Sequence, residues 1–200
     1  ALRAVRDGFL PQGGQQHAWL AGVVCIAFLW TLQVKLDNGP GIGMLGAALY
    51  VLLFGAARGI LGLLLALVLH HGLTGGPWLT LGASGLLYAV LPALLTAGLQ
   101  QALARWLPKN LFIFIIGNGL FVTLAATAIT SVALLLCSLA LDAAPAAAGQ
   151  LGDYVGYALL LAWGEALVSG MVFSALVIFT PGIVRTYRQD TYLPPRRLRG

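Results

Sequence analysis

The stretch LLAWGEALVSG, residues 160–170, sets one carboxylate, Glu165, among residues that are otherwise apolar or small. What solvent surrounds such a segment, and what satisfies the acid? Ala158, Ala162 and Ser169 share a helical face with Glu165, because steps of three and four residues stack on one side of an α-helix. Small residues on a helix face let a second helix approach closely. Glu165 therefore points into a helix bundle.

The composition identifies the solvent. Of 200 residues, 60% are hydrophobic and 8% are charged, with a mean hydropathy of +0.91. Soluble domains are about 25% charged, so this chain cannot coat a globule with a solvated surface. Its natural surroundings are a lipid bilayer. The formal charge of +5 does not indicate nucleic acid, because the basic residues sit at segment ends and form no patch with aromatics. Cys25 and Cys137 lie in apolar runs and read as small core residues, with no disulfide framework. The first apolar run leads through a Gly-rich loop straight into the second, so no cleavable signal is expected.

The fold expected is all-α, an integral membrane bundle of six transmembrane helices with Gly-rich, re-entrant outer loops. The spans run over residues 19–34, 44–57, 59–73, 79–103, 111–141 and 154–179. Residues 1–17 form a cytoplasmic leader, 18–182 the transmembrane domain and 183–200 a basic cytoplasmic tail. Six crossings return both ends to one side. On that side lie Arg3, Arg6, Arg58, Arg105, Lys109, Arg185, Arg188, Arg196, Arg197 and Arg199, leaving only Lys35 on the other. Basic residues collect on the cytoplasmic face, so both termini are expected in the cytoplasm, at an inner membrane of bacterial type.

Polar groups within the spans are few. Thr123, Thr127, Thr130, Ser131 and Ser138 lie on the fifth span, with Asn118 towards its inner end. Hydroxyls there bond back to the helix or across to a neighbour. No Lys or Arg lies at the depth of Glu165, so its expected partners are Thr127 and Thr130. On that reading Glu165 is an interhelical clamp, and Glu165→Gln keeps its hydrogen bonds. A proton or ion path is the alternative, but the sequence supplies no relay groups at that depth.

A second cluster lies at the outer ends. HHGLTGGPW (70–78) brings His70 and His71 to the end of the third span, and NGPGIGM (38–44) brings Met44 to the start of the second. Two short spans flanked by breakers predict backbone that dips around a cavity. Imidazole and thioether suit a soft or borderline transition metal. The plainer reading makes these histidines interfacial residues bonded to headgroups or carbonyls, and His17, at the inner interface, is expected to be structural. The sequence carries no H-E-x-x-H, P-loop, C-x-x-C or G-x-S-x-G, and no enzyme is predicted.

Three stretches, in order, carry a family resemblance. GIGMLGAALYVLLFG (41–55), TGGPWLTLGASGL (74–86) and GEALVSG (164–170) resemble the S-G-H-L-L-G-A-A-L, D-G-G-x-x-x-L-G-A-N and G-E-A-L-I-T-G segments of the CbiM/NikM type. These are the substrate-binding membrane components of cobalt and nickel energy-coupling-factor transporters. The likeness covers about residues 20–185. In that family an opening Met-His helps hold the metal. ALRAVRDGFLP (1–11) lacks it, Gly43 stands where a histidine is usual, and Ser84 stands where an asparagine is usual. The family's first helix also has no counterpart here. The resemblance implies a metal-uptake permease or substrate-binding component that handles a transition-metal ion or small chelate. It also implies a separate ATPase and a coupling membrane subunit, since no nucleotide motif is present. The alternative is a non-transporting integral subunit of a larger membrane complex, built on the same fold with its metal site lost.

Overall fold

A computed structural model describes residues 14–33, 43–75, 78–106, 110–140, 151–180, 182 and 184. Most of the leader and tail, and most of the loops at 35–43 and 142–153, lie outside the described residues. Among the described residues there are helices and no strand. In chain order they are α1 (Gly14–Thr31), α2 (Ala47–Phe54), α3 (Ala56–Thr74), α4 (Trp78–Trp106), α5 (Leu111–Ala140) and α6 (Leu151–Phe179).

Four helices, α3 to α6, are long and apolar enough to cross a membrane. Only 28–33% of each spanning window is buried within the protein. The remainder carries exposed large apolar side chains, such as Leu160, Met171 and Ile178 on α6. A helix that is apolar all round suits a bilayer and no aqueous surface. α1, whose first turns carry exposed Gln15, Gln16 and His17, is not among these four, though it too has an apolar outer face. Val23, Ile26, Ala27 and Trp30 are buried, while Leu20, Val24 and Phe28 are exposed.

The second span differs from its sequence reading. Residues 44–57 contain an eight-residue helix, α2, which at about 1.5 Å per residue is some 12 Å long. A bilayer core is about 30 Å thick. α2 is not among the candidate spans, and non-helical backbone at residues 43–46 leads into it. Irregular backbone at membrane depth is tolerated where protein encloses it, and α2 is enclosed: Ala47, Ala48 and every residue from Tyr50 to Phe54 are buried. A single residue, Gly55 at φ 84°, turns the chain from α2 into α3. A side chain rarely tolerates that backbone conformation.

Two contacts fix which helix ends lie together. The Trp19 indole donates to the carbonyl of Arg58 at 3.1 Å, and the Gln15 amide donates to the carbonyl of Gly182 at 2.8 Å. The starts of α1 and α3 and the chain after α6 therefore share one end of the bundle, the basic end. The outer cluster lies at the opposite end.

Two helices contain π turns. In α4 the turn covers Leu86–Val90, just before Pro92. Proline has no N–H and its ring clashes with the carbonyl four residues back, here that of Tyr88. The helix widens instead, and the Leu91 N–H donates to Leu86. In α5 the turn covers Gly117–Val122. There Gly119 meets α6 so closely that a Cβ added to it would sit 3.0 Å from the Gly170 Cα.

Candidate functional site

A cavity of about 180 Å³ opens at the end of the bundle away from the basic end. Trp30 and Gln33 line it from the end of α1, Leu67, His70 and His71 from the end of α3, and Ser84 and Tyr88 from the start of α4. His70 and His71 thus line a cavity, while most of the 35–44 loop expected to share it lies outside the described residues. Met44, half-buried, is not among its lining residues.

The walls are aromatic. Trp30 meets His70 edge-on with ring centres 6.2 Å apart and packs tilted against Tyr88 at 5.9 Å. His70 and His71 lie 5.9 Å apart, and His71 stands 6.4 Å from Trp78. The His71 Nδ1 lies 3.1 Å from the carbonyl of Leu67. A carbonyl only accepts, so in this bond Nδ1 is the donor. Metal-bound histidines are commonly oriented by such a bond. Among the described residues no group of three His, Cys, Asp or Glu gathers around a common point.

Below the cavity wall lies Glu165, 2% exposed. One carboxylate oxygen, Oε2, accepts from the N–H of Leu45 at 2.8 Å, and the other, Oε1, from the N–H of Gly46 at 2.8 Å. The first N–H groups of a helix lack partners within it. Gly46 precedes α2, at φ 63°, and has no side chain to cap it. The acid on α6 supplies that cap, at the helix end where the macrodipole favours negative charge.

Of the two hydroxyls expected to partner Glu165 one does so, and two backbone N–H groups join it. Thr127 hydrogen-bonds the carboxyl, but Thr130 donates to the carbonyl of Ala126 on its own helix. Asn118 is buried on the α5 π turn. Its Nδ2 donates to Phe114, and its Oδ1 has no hydrogen-bond partner among the described residues. Neither Asn118 nor Thr130 lines the cavity. Ala158, Ala162 and Ser169 are buried beside Glu165.

The sequence matches CbiM, the cobalt uptake substrate-specific transmembrane region, over residues 6–183. The chain belongs to the CbiM family. It is a membrane component of metal uptake, either a permease or a substrate-binding subunit. A crystal structure of a transition metal transporter has the same fold, with a TM-score of 0.63 and 21% identity over 88% of this chain and 81% of that one. No curated protein matches the chain.

Two positions where this CbiM chain departs from its family lie at or beside the cavity. Ser84 lines it. A Cβ added to Gly43 would run into the side chain of Gln33, itself a lining residue. Sequence reasoning missed Trp30, Gln33 and Tyr88 as lining groups. Their signals were Pro92, which perturbs the helix beside Tyr88, and the placement of Trp30 and Gln33 at the same end of the bundle as His70.

Proposed function

We propose that this CbiM-family protein is the substrate-binding membrane component of a transition-metal uptake system and receives its ion in the cavity between α1, α3 and α4. The observation that carries this reading is the pair of imidazoles, His70 and His71, on one wall of the cavity. The Gln33 amide oxygen and the Ser84 and Tyr88 hydroxyls are weaker oxygen donors on the other walls. Such a site holds an ion loosely. That suits a transporter, whose cargo must enter and also leave.

The basic end is the cytoplasmic end on this reading, and the cavity faces outwards. The energy comes from a separate ATPase acting through a coupling membrane subunit. A second reading, a scaffold in a larger membrane complex, is favoured by the lack of a third strong ligand among the described residues.

Titration of purified protein with Co²⁺ or Ni²⁺ tests the assignment. His70→Ala and His71→Ala each weaken binding about tenfold or more, while His17→Ala, at the basic end, leaves it unchanged. Equal effects from all three, or from none, remove the site. A wild-type protein that takes up no metal supports the scaffold.

A further inference from the structure

The Leu45–Gly46 peptide is held at both edges. Its N–H donates to Glu165 Oε1 at 2.8 Å, and its C=O accepts from Trp30 Nε1 at 2.9 Å. A trans peptide is planar and rigid, with its N–H and C=O pointing in opposite directions. It therefore links the α6 carboxylate to the α1 indole in one hydrogen-bonded line. The second oxygen, on the Leu45 N–H, prevents this line from swivelling. Beyond the peptide, the Trp30 ring forms part of the cavity wall and abuts both His70 and Tyr88.

We infer that Glu165 is a positioning residue for the cavity, acting through the Leu45–Gly46 peptide and Trp30 on His70. The inference rests on the cargo reading above for its metal arm only. No carboxylate among the described residues lines the cavity, so Glu165 shapes the site without coordinating the ion. Residues 43–46 are non-helical, with the Gly46 carbonyl accepting the first helical bond of α2 from Tyr50, and without the carboxylate the Leu45–Gly46 peptide keeps the Trp30 bond. Hydrogen bonds linked in one chain polarise and strengthen one another. The indole is thereby fixed in one orientation, and the imidazole packed against its edge with it.

Three variants test this in purified full-length protein. Glu165→Gln removes one acceptor oxygen, Glu165→Asp keeps both on a shorter arm, and Trp30→Phe keeps an aromatic ring but removes the indole N–H. The first readout needs no metal. With 5-fluorotryptophan at the five tryptophans, Trp30→Phe assigns the Trp30 fluorine resonance. Both Glu165 variants should then move or broaden that resonance, leaving Trp106 and Trp163 in place. The second readout is Co²⁺ affinity below the melting temperature. Glu165→Gln should weaken it about tenfold, as loss of an outer-shell partner does. The double variant Glu165→Gln/Trp30→Phe should bind no more weakly than the weaker single, since both changes break one line.

An unmoved Trp30 resonance in both Glu165 variants overturns the inference. So does a double variant whose losses multiply, or a Glu165→Gln protein that is less stable yet binds Co²⁺ as wild type does. If the Gln variant does not fold, Glu165→Asp carries the same readouts. If wild-type protein binds no Co²⁺, the cargo reading falls while the fluorine readout still decides the positioning role.

Discussion

Trp30 and Glu165 grip opposite edges of one peptide group, that between Leu45 and Gly46. The acid lies 119 residues after Gly46 in the chain. Its placement answers the question raised by a lone carboxylate in an apolar helix. The backbone ahead of α2 is not helical, and Glu165 takes up two N–H groups there, those of Leu45 and Gly46.

The first prediction concerns the chemistry of that cap. Beside Thr127, two backbone N–H groups donate to the carboxylate, one to each oxygen. An amide offers one acceptor and would turn its NH₂ against the other N–H. Glu165→Gln is therefore not the mild change that the sequence alone suggests. A buried donor left without a partner costs about 1–3 kcal/mol, so the Gln variant should lose roughly that much stability. Glu165→Leu, which strands both donors, should lose about twice as much, and Glu165→Asp the least. Thermal unfolding in detergent ranks the three. A Gln variant that melts with the wild type would contradict the cap.

A second prediction pairs two glycines with opposite outcomes. At Gly119 a Cβ would meet the α6 backbone at Gly170. Gly119→Ala should force α5 and α6 apart and destabilise by about 1–3 kcal/mol, as overpacking does. Gly98, exposed on α4, has nothing within 4 Å of an added Cβ. Gly98→Ala should stabilise by up to about 1 kcal/mol through helix propensity. The same melting experiment reads both, and a shared sign would show that close packing at Gly119 is not what its glycine serves.

Membrane residence, helical class and the direction of Glu165 were legible in the sequence because each follows from one-dimensional information. Composition sets the solvent, and the spacing of Ala158, Ala162, Glu165 and Ser169 sets the face. The backbone partners of Glu165 were not legible, although its Thr127 partner was. Side chains advertise their chemistry in a sequence, but the bare N–H groups of Leu45 and Gly46 arise only once the backbone leaves helical geometry. Depth matching therefore favoured the visible hydroxyls of Thr127 and Thr130, of which the second bonds its own helix. The length of α2 was hidden for a similar reason. Apolar residues from Met44 to Ala57 fit a span equally well whether lipid or protein surrounds them, and here protein surrounds α2. The histidines were legible as a pair facing a cavity, whereas Gln33 became a wall residue only through its contact with Gly43 across the fold.

The third prediction is topological. α3 runs from the basic end towards the cavity and α4 returns, so Thr74 and Trp106 mark opposite ends of the bundle. Both are exposed. With Cys25 and Cys137 replaced by alanine, Thr74→Cys should react with an impermeant thiol reagent from outside the cell. Trp106→Cys should react only after the membrane is opened. Labelling of both from one side would mean that α4 does not cross the membrane between them.

The last prediction concerns Gly43, where the resembled family carries a histidine. A Cβ here would collide with the Gln33 side chain and lie 3.2 Å from the Gln33 Cα. Backbone conformation is not the obstacle, since Gly43 does not adopt the positive φ found at Gly46 and Gly55. The obstacle is the glutamine, which fills the space and presents its amide to the cavity instead. Gly43→His alone should therefore overpack this corner and destabilise by about 1–3 kcal/mol. Its effect on Co²⁺ binding should be small. Removing the obstruction changes the outcome. In Gln33→Ala/Gly43→His only the backbone contact remains, which a shift of a few tenths of an ångström relieves. The new imidazole then enters the wall shared with His70 and His71 and supplies a third nitrogen ligand. Co²⁺ affinity in the double variant should exceed that of Gln33→Ala by about tenfold or more, a gain of about 1.4 kcal/mol, with the stability of the Gly43→His single variant partly restored. Equal affinity in the two proteins would mean that position 43 does not address the cavity, and that the two histidines on α3 do not lie where a family-type ligand set can be rebuilt.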